Sequence, residues 1–204
     1  MDAAILNQQK AEILRQINYY TQQREKEMAE AFANQRRIAD LTQQLQSLSK
    51  LLGDTQNNLD RCMKDIEEHE DVLLAVKGYE NRFREGIEER MRRMEQVEAN
   101  SDTAVFAKEY SQSMRAKLTG PSFYVVESGI EDGKKSVINK IQSLQDEEDN
   151  LRKQLRDAEN QINNTKIEMN NTQIRLDNNN ARARDYQNTI DQLHRQLRQL
   201  ELQA

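Results

Sequence analysis

The sequence predicts an all-α protein, a long antiparallel coiled-coil hairpin carrying a small three-helix head. Three observations predict it. Only 36% of the 204 residues are hydrophobic, 5% are aromatic and none is Trp, too little apolar mass for a compact core of this size. Pro occurs once and Gly six times, so breaks between helices are few. Leu and Ile recur in two long, unbroken heptad phases, and helices packed along a narrow seam need few apolar residues. The expected organisation is a two-helix stalk from residues 1–70 and 137–204, with a head from 71–136 that contains a Gly-Pro turn at 120–121.

The first helix follows from steps of four and three that begin at Leu6. They pass through Ile13, Ile17, Tyr20, Ala31, Ile38, Leu41, Leu45, Leu48, Leu52, Leu59, Cys62, Ile66, Leu73, Val76, Phe83, Ile87, Met94 and Val97. The polar members of the same phase are Lys10, Arg24, Glu27, Asn34, Thr55, His69, Glu80 and Arg90. A repeat of 3.5 residues held in one phase is the pattern of a left-handed coiled-coil seam. Gly53 lies alone within it, at a cost of about 1 kcal/mol relative to Ala.

The second helix is expected over about 102–118. Asn100-Ser101-Asp102 supplies capping oxygens and a break, and Val105, Phe106, Tyr110, Met114 and Leu118 then recur at helical spacing. Thr119-Gly120-Pro121-Ser122 stops it. Gly suits the left-handed position just past a helix, and Pro cannot continue one. Ser122 is the expected cap of the third helix, whose start turns Phe123, Val126 and Ile130 inward. Gly129 and Gly133, one turn apart, and Gly78 and Gly86 on the first helix are expected to allow close backbone approach.

The third helix carries its own seam, from Val137 through Ile141, Leu144, Leu151, Leu155, Ala158, Ile162, Met169, Leu176, Ala183, Tyr186, Ile190, Leu193 and Leu197 to Leu200. Glu148, Thr165, Thr172 and Asn179 are its polar members. Neither seam can be buried alone, so each needs a partner, and the simplest is the other in the same chain. Matching a positions to d positions favours pairs whose numbers add to about 203: Arg24 with Asn179, and Ile17 with Tyr186. Ile167 and Ile174, seven apart and off the seam, mark a second apolar line.

Formal net charge is −5 with both signs interspersed. There is no basic block of the kind that neutralises phosphates, which argues against nucleic-acid binding. A single Cys allows no intrachain disulfide or Cys-based metal site, and no apolar run reaches the roughly 18 residues of a membrane span. Met1-Asp2-Ala3-Ala4-Ile5-Leu6 has neither a basic start nor a signal-peptide core. The expectation is a cytoplasmic protein, with export by a route lacking a cleaved signal as the open alternative. Glu67-Glu68-His69-Glu70-Asp71 has metal-ligand residue types, but consecutive helical residues point in different directions. Cys62 is a seam position without a His or helix N-terminus to activate it. No phosphate loop, G-x-S-x-G elbow or H-E-x-x-H is present. The chain is therefore expected to be no enzyme and to hold no cofactor or metal.

The run Ser122-Phe123-Tyr124-Val125-Val126 is the most apolar and aromatic in the chain. It is read as buried in the head or, functionally, as a docking patch. Leu118-Thr119-Gly120, the Phe123-Val126 region, and Ile130-Glu131-Asp132-Gly133 leading into the heptads from Ile138 to Leu155 resemble the WXG-type superfamily. The likeness is greatest to the helical partner proteins that accompany LXG-type toxins in type VII secretion. Leu118-Thr119-Gly120 stands where that family has Trp-x-Gly. No Tyr here has an acidic residue four places on, whereas Phe123 and Glu127 carry that spacing. The resemblance covers about residues 100–160. It implies a non-enzymatic partner or targeting chaperone that binds a helical segment, and together with the apolar tip and the glycines it makes Leu118, Gly120, Phe123, Tyr124, Val126, Glu127, Gly129 and Gly133 the candidate contact residues. The competing reading is a structural coiled-coil stalk or filament component that self-associates.

Overall fold

A computed structural model describes residues 3–100 and 104–202. Among these the fold is an all-α helical hairpin of three helices: α1 (Ala3–Ala99), α2 (Val105–Leu118) and α3 (Pro121–Leu202). Contacts divide the chain into two compact units, Met1–Gly53 with Arg156–Ala204 and Asp54–Leu155. The second takes in the expected head together with 54–70 and 137–155 of the coiled coil. Ser101 and Asp102 of the expected break lie outside the described residues. α2 opens instead at Ala104, which has extended backbone angles and no side chain able to cap.

Both seams are real helix faces. Leu6, Ile17, Ala31, Leu41, Leu59, Cys62 and Ile66 are buried on α1, as are Ile141, Leu144, Leu151, Ala158, Ile190 and Leu193 on α3. Positions one residue to either side are mostly exposed. Two helices alone cannot close over a seam, and among the described residues only Leu41 loses all its exposure. In the first unit Ile17, Ile190 and Leu193 form the core, flanked by Ile13, Tyr20 and Leu197. In the second, Leu59, Cys62, Ile66, Leu144 and Leu151 do so, with Leu155 against them. Within each unit, higher α1 numbers meet lower α3 numbers. Tyr20 meets Tyr186 and Arg37 meets Glu168 in the first, and Cys62 meets Leu144 and Phe83 meets Phe123 in the second. The two long helices are antiparallel in both.

The register differs from the expected one by about a helical turn. Tyr186 lies against Tyr20, with ring centroids 5.9 Å apart, rather than opposite Ile17. Asn179 donates to Glu27 at 2.6 Å and to Glu30 at 2.9 Å, rather than meeting Arg24. The reason is polar satisfaction. Glu27 is buried, and a buried carboxylate needs donors. In this register Asn179 supplies one and Arg182 adds an ion pair at 3.6 Å. Asn34 in turn donates to the Asn179 side-chain Oδ1 at 3.3 Å. Arg24 donates to Gln187 through Nη1, while its buried Nε is left without an acceptor.

The glycines also depart from expectation. Among the described residues none has a positive φ. A Cβ at Gly53, Gly86, Gly129 or Gly133 would meet nothing within 4 Å, and one at Gly78 would meet only the end of Arg82 at 3.7 Å. These five make no close backbone approach. Gly120 does, because a Cβ there would stand 2.6 Å from the Ala116 carbonyl oxygen. Glycine at the α2–α3 corner is thus required by proximity rather than by left-handed geometry.

Candidate docking surface

The second unit positions the surface. Ala107, Ser111, Met114, Arg115 and Leu118 are its packed face, spaced as one side of a helix. That face is rotated by about one residue from the apolar stripe read in the sequence. Small Ala107 and Ser111 let α2 approach the end of α1, where the buried Ser111 hydroxyl donates to the Met94 carbonyl at 3.2 Å. Arg115 spans Glu98 at 3.2 Å and Glu95 at 3.4 Å. Polar bonding therefore sets the rotation of α2 and turns its largest apolar side chains away from the packed face. Val105 is 72% exposed, Phe106 76% and Tyr110 67%.

Phe106 and Tyr110 lie one turn apart and, with Met94, Val97, Ala107, Ser111 and Met114, line an open groove of about 390 Å³ between α1 and α2. Its charged lining is Arg90 and Arg93, with no carboxylate. Arg93 pairs with Glu89 across the α1 surface. Arg90, a seam position in the sequence pattern, is exposed and has no ion-pair partner among the described residues. The first unit's clefts are of another kind. One of about 710 Å³ is lined by Arg37, Asp40, Gln43, Gln44, Gln161 and Asn164 among others, an amide-rich surface suited to water.

The residues expected at the Gly-Pro tip divide. α3 starts at Pro121, whose missing N–H costs nothing at that position. The Gly120 carbonyl accepts from the backbone of Phe123 at 3.0 Å and of Tyr124 at 3.4 Å. Ser122 is therefore inside the helix and does not cap it. Phe123 is half-buried and stacked on Phe83, with centroids 5.7 Å apart, and Phe83 stacks on Tyr79 at 6.4 Å. Leu118 and Gly120 are half-buried. Tyr124 is 61% exposed and stands edge-on to Phe123, and Val126 is 42% exposed rather than turned inward. Glu127 pairs with Arg84 at 3.2 Å. Gly129 and Gly133 are exposed. Tyr124 and Val126 thus remain available for contact, while Phe123 and Glu127 already have partners within the unit.

Next to them lies an ion network. Lys134 bonds Glu131 at 2.7 Å and Glu80 at 2.9 Å, and Glu80 also takes Arg84 at 3.2 Å. The hydrogen bond from Lys134 holds the Glu131 carboxyl below its usual range. The bonds from Glu131 and Glu80 raise the Lys134 ammonium.

The remaining candidates are spent on structure. Cys62 is buried and its thiol donates to the Leu144 carbonyl at 3.2 Å. Burial, then Glu147, Glu148 and Asp65, push its pKa up, away from the thiolate a nucleophile needs. His69 is half-buried and donates from Nδ1 to the Asp65 carbonyl, one turn back, at 2.6 Å. Among the described residues no three His, Cys, Asp or Glu side chains gather as a metal ion would require. Among the described residues no helix is long and apolar enough to cross a membrane. Sequence reading named the tip and missed the groove. Its only signal was Phe106 and Tyr110 four apart, which periodicity alone reads as core. No protein-family model matches this chain, and neither do the curated proteins or the solved structures with which it was compared.

Proposed function

We propose that this chain is a non-enzymatic binding protein that docks a helical segment of another protein on its second unit. The observation that supports this most is the exposure of Phe106 and Tyr110 beside an apolar groove. Two large aromatic side chains left in water one turn apart are costly unless something covers them, and Tyr is enriched among the residues that dominate interfaces. The exposed Tyr124, Val125 and Val126 add a second apolar run in the same unit. The identity of the partner rests on the resemblance of Leu118-Thr119-Gly120 and the following residues to the helical proteins that accompany LXG-type toxins. On that reading the chain is a partner or targeting chaperone of a type VII-secreted toxin and engages its helical N-terminal region.

A photo-crosslinking amino acid placed at Tyr110 in the full chain, expressed in the native host, tests the proposal. The expected product joins this chain to a toxin-type protein through that protein's helical N-terminal region. The same group at Ile167, exposed on the first unit, should give no such product. Products that contain only this chain would favour the stalk or filament reading instead.

A further inference from the structure

The groove between the end of α1 and α2 combines apolar walls with charge of one sign. Met94, Val97, Phe106, Tyr110 and Met114 supply the walls, and Arg90 and Arg93 are its only charged lining. Three carboxylates on the same stretch of α1 are engaged elsewhere: Glu95 and Glu98 hold Arg115, and Glu89 holds Arg93. Any apolar segment seated against Phe106 would bring its flank beside Arg90, which has no acidic partner among the described residues. The geometry points to an acidic amphipathic helix from a different chain as the occupant. Its apolar stripe would cover Phe106 and Tyr110, and a Glu or Asp on its flank would pair with Arg90 and then Arg93.

This rests on the reading of the chain as a binding protein and adds the place, charge and form of what is bound. A volume of about 390 Å³ falls in the range that accommodates a compact ligand or a few anchoring side chains, roughly 300–1,000 Å³. Helix-in-groove recognition uses anchors three or four residues apart, which is the spacing of Phe106 and Tyr110. A second copy is a poorer occupant. Two-fold contacts are self-complementary, so a groove laid on its own copy would bring both Arg90–Arg93 pairs to one seam. Like charges placed together disfavour such a match.

The test uses the full chain and two synthetic amphipathic helices with the same leucine stripe, one flanked by Glu and the other by Lys. Fluorescence anisotropy should show the Glu helix binding at least about tenfold more tightly than the Lys helix. Arg90→Glu with Arg93→Glu should reverse that order, and Phe106→Ser should weaken both by about tenfold or more. These positions are exposed, so circular dichroism should show unchanged helicity in each variant. Equal affinity for both peptides, or an order unmoved by the arginine reversals, would overturn the assignment. So would binding to phosphatidylglycerol vesicles in place of the Glu helix, or self-association that Phe106→Ser abolishes. If the Tyr110 crosslink to a native partner forms equally well in the arginine-reversed chain, the acidic-helix inference fails while the binding function stands.

Discussion

Gly120→Ala and Gly133→Ala should change stability in opposite directions, although both put one methyl group into the second unit. Gly133 lies inside α3, and a Cβ there meets nothing within 4 Å. Packing therefore contributes nothing, and the helix-propensity difference remains, about 0.8–1.0 kcal/mol in favour of Ala. For a chain of this length that raises the melting temperature by roughly 2–4 °C. At Gly120 the new Cβ would stand 2.6 Å from the Ala116 carbonyl oxygen. A backbone oxygen cannot rotate away as a side chain would, so the α2–α3 corner has to open. Overpacking of this kind costs about 1–3 kcal/mol, a fall of several degrees. Urea and thermal melts followed by far-ultraviolet circular dichroism read both. The two sites share a unit, so they act on the same transition. A loss of stability in Gly133→Ala would mean that a backbone does approach there, and an unchanged Gly120→Ala would mean that the corner is loose. Either result would refute the reasoning.

Phe123→Ser should destabilise the second unit and Tyr124→Ser should not, because only Phe123 stacks on Phe83; a double-mutant cycle with Phe83 should return about 0.5–1.5 kcal/mol of coupling. Asn179→Ala removes the donor nearest the buried Glu27 carboxylate and should cost about 1–3 kcal/mol in a urea melt; a neutral result would show that Arg182 alone is enough. Cys62 should resist thiol reagents until the chain is unfolded, and Cys62→Ala should keep partner crosslinking at a cost of about 1 kcal/mol; fast labelling of the native chain would contradict its burial. Stability should also depend on pH at both extremes. The lowered Glu131 contributes fully above its unfolded value near 4.5 and loses that contribution as pH falls through the folded value. The raised Lys134 contributes fully below 10.5 and loses it as pH rises through its folded value. Urea midpoints measured against pH should therefore keep this contribution between those limits, and Lys134→Met should flatten both flanks.

The seams were legible because periodicity belongs to each helix separately. Nearly every position from Leu6 to Val97 and from Val137 to Leu200 in the heptad phases is buried or half-buried, and four of the polar members, Glu27, Thr55, Thr172 and Asn179, are buried too. The stop at Gly120-Pro121 was equally plain, since Pro cannot occupy a helix interior and is at home in a first turn. Properties of pairs of helices were not legible. Matching a to d positions put Asn179 against Arg24, but a heptad count does not register that Glu27 needs donors once buried, and Asn179 and Arg182 supply them one turn away.

The same distinction explains why the exposed aromatic pair of α2 was not legible in the sequence. Val105, Phe106, Tyr110, Met114 and Leu118 make an apolar stripe, and hydrophobicity alone would turn it inward. Against it stand Ser111, bonded to the Met94 carbonyl, and Arg115, held by Glu95 and Glu98. These bonds form only when α2 presents Ala107 and Ser111 to α1, and that rotation carries Phe106 and Tyr110 into solvent. The tip left two readings open. Phe123 read either as buried in the head or as part of a docking patch, and the choice turns on its stacking partner Phe83, itself stacked on Tyr79, which is contributed by a stretch of α1 some forty residues earlier. An aromatic residue is core or contact according to whether the opposite helix presents something to meet it. On α2 the opposite helix meets a serine and an arginine instead, and the aromatic pair is left exposed.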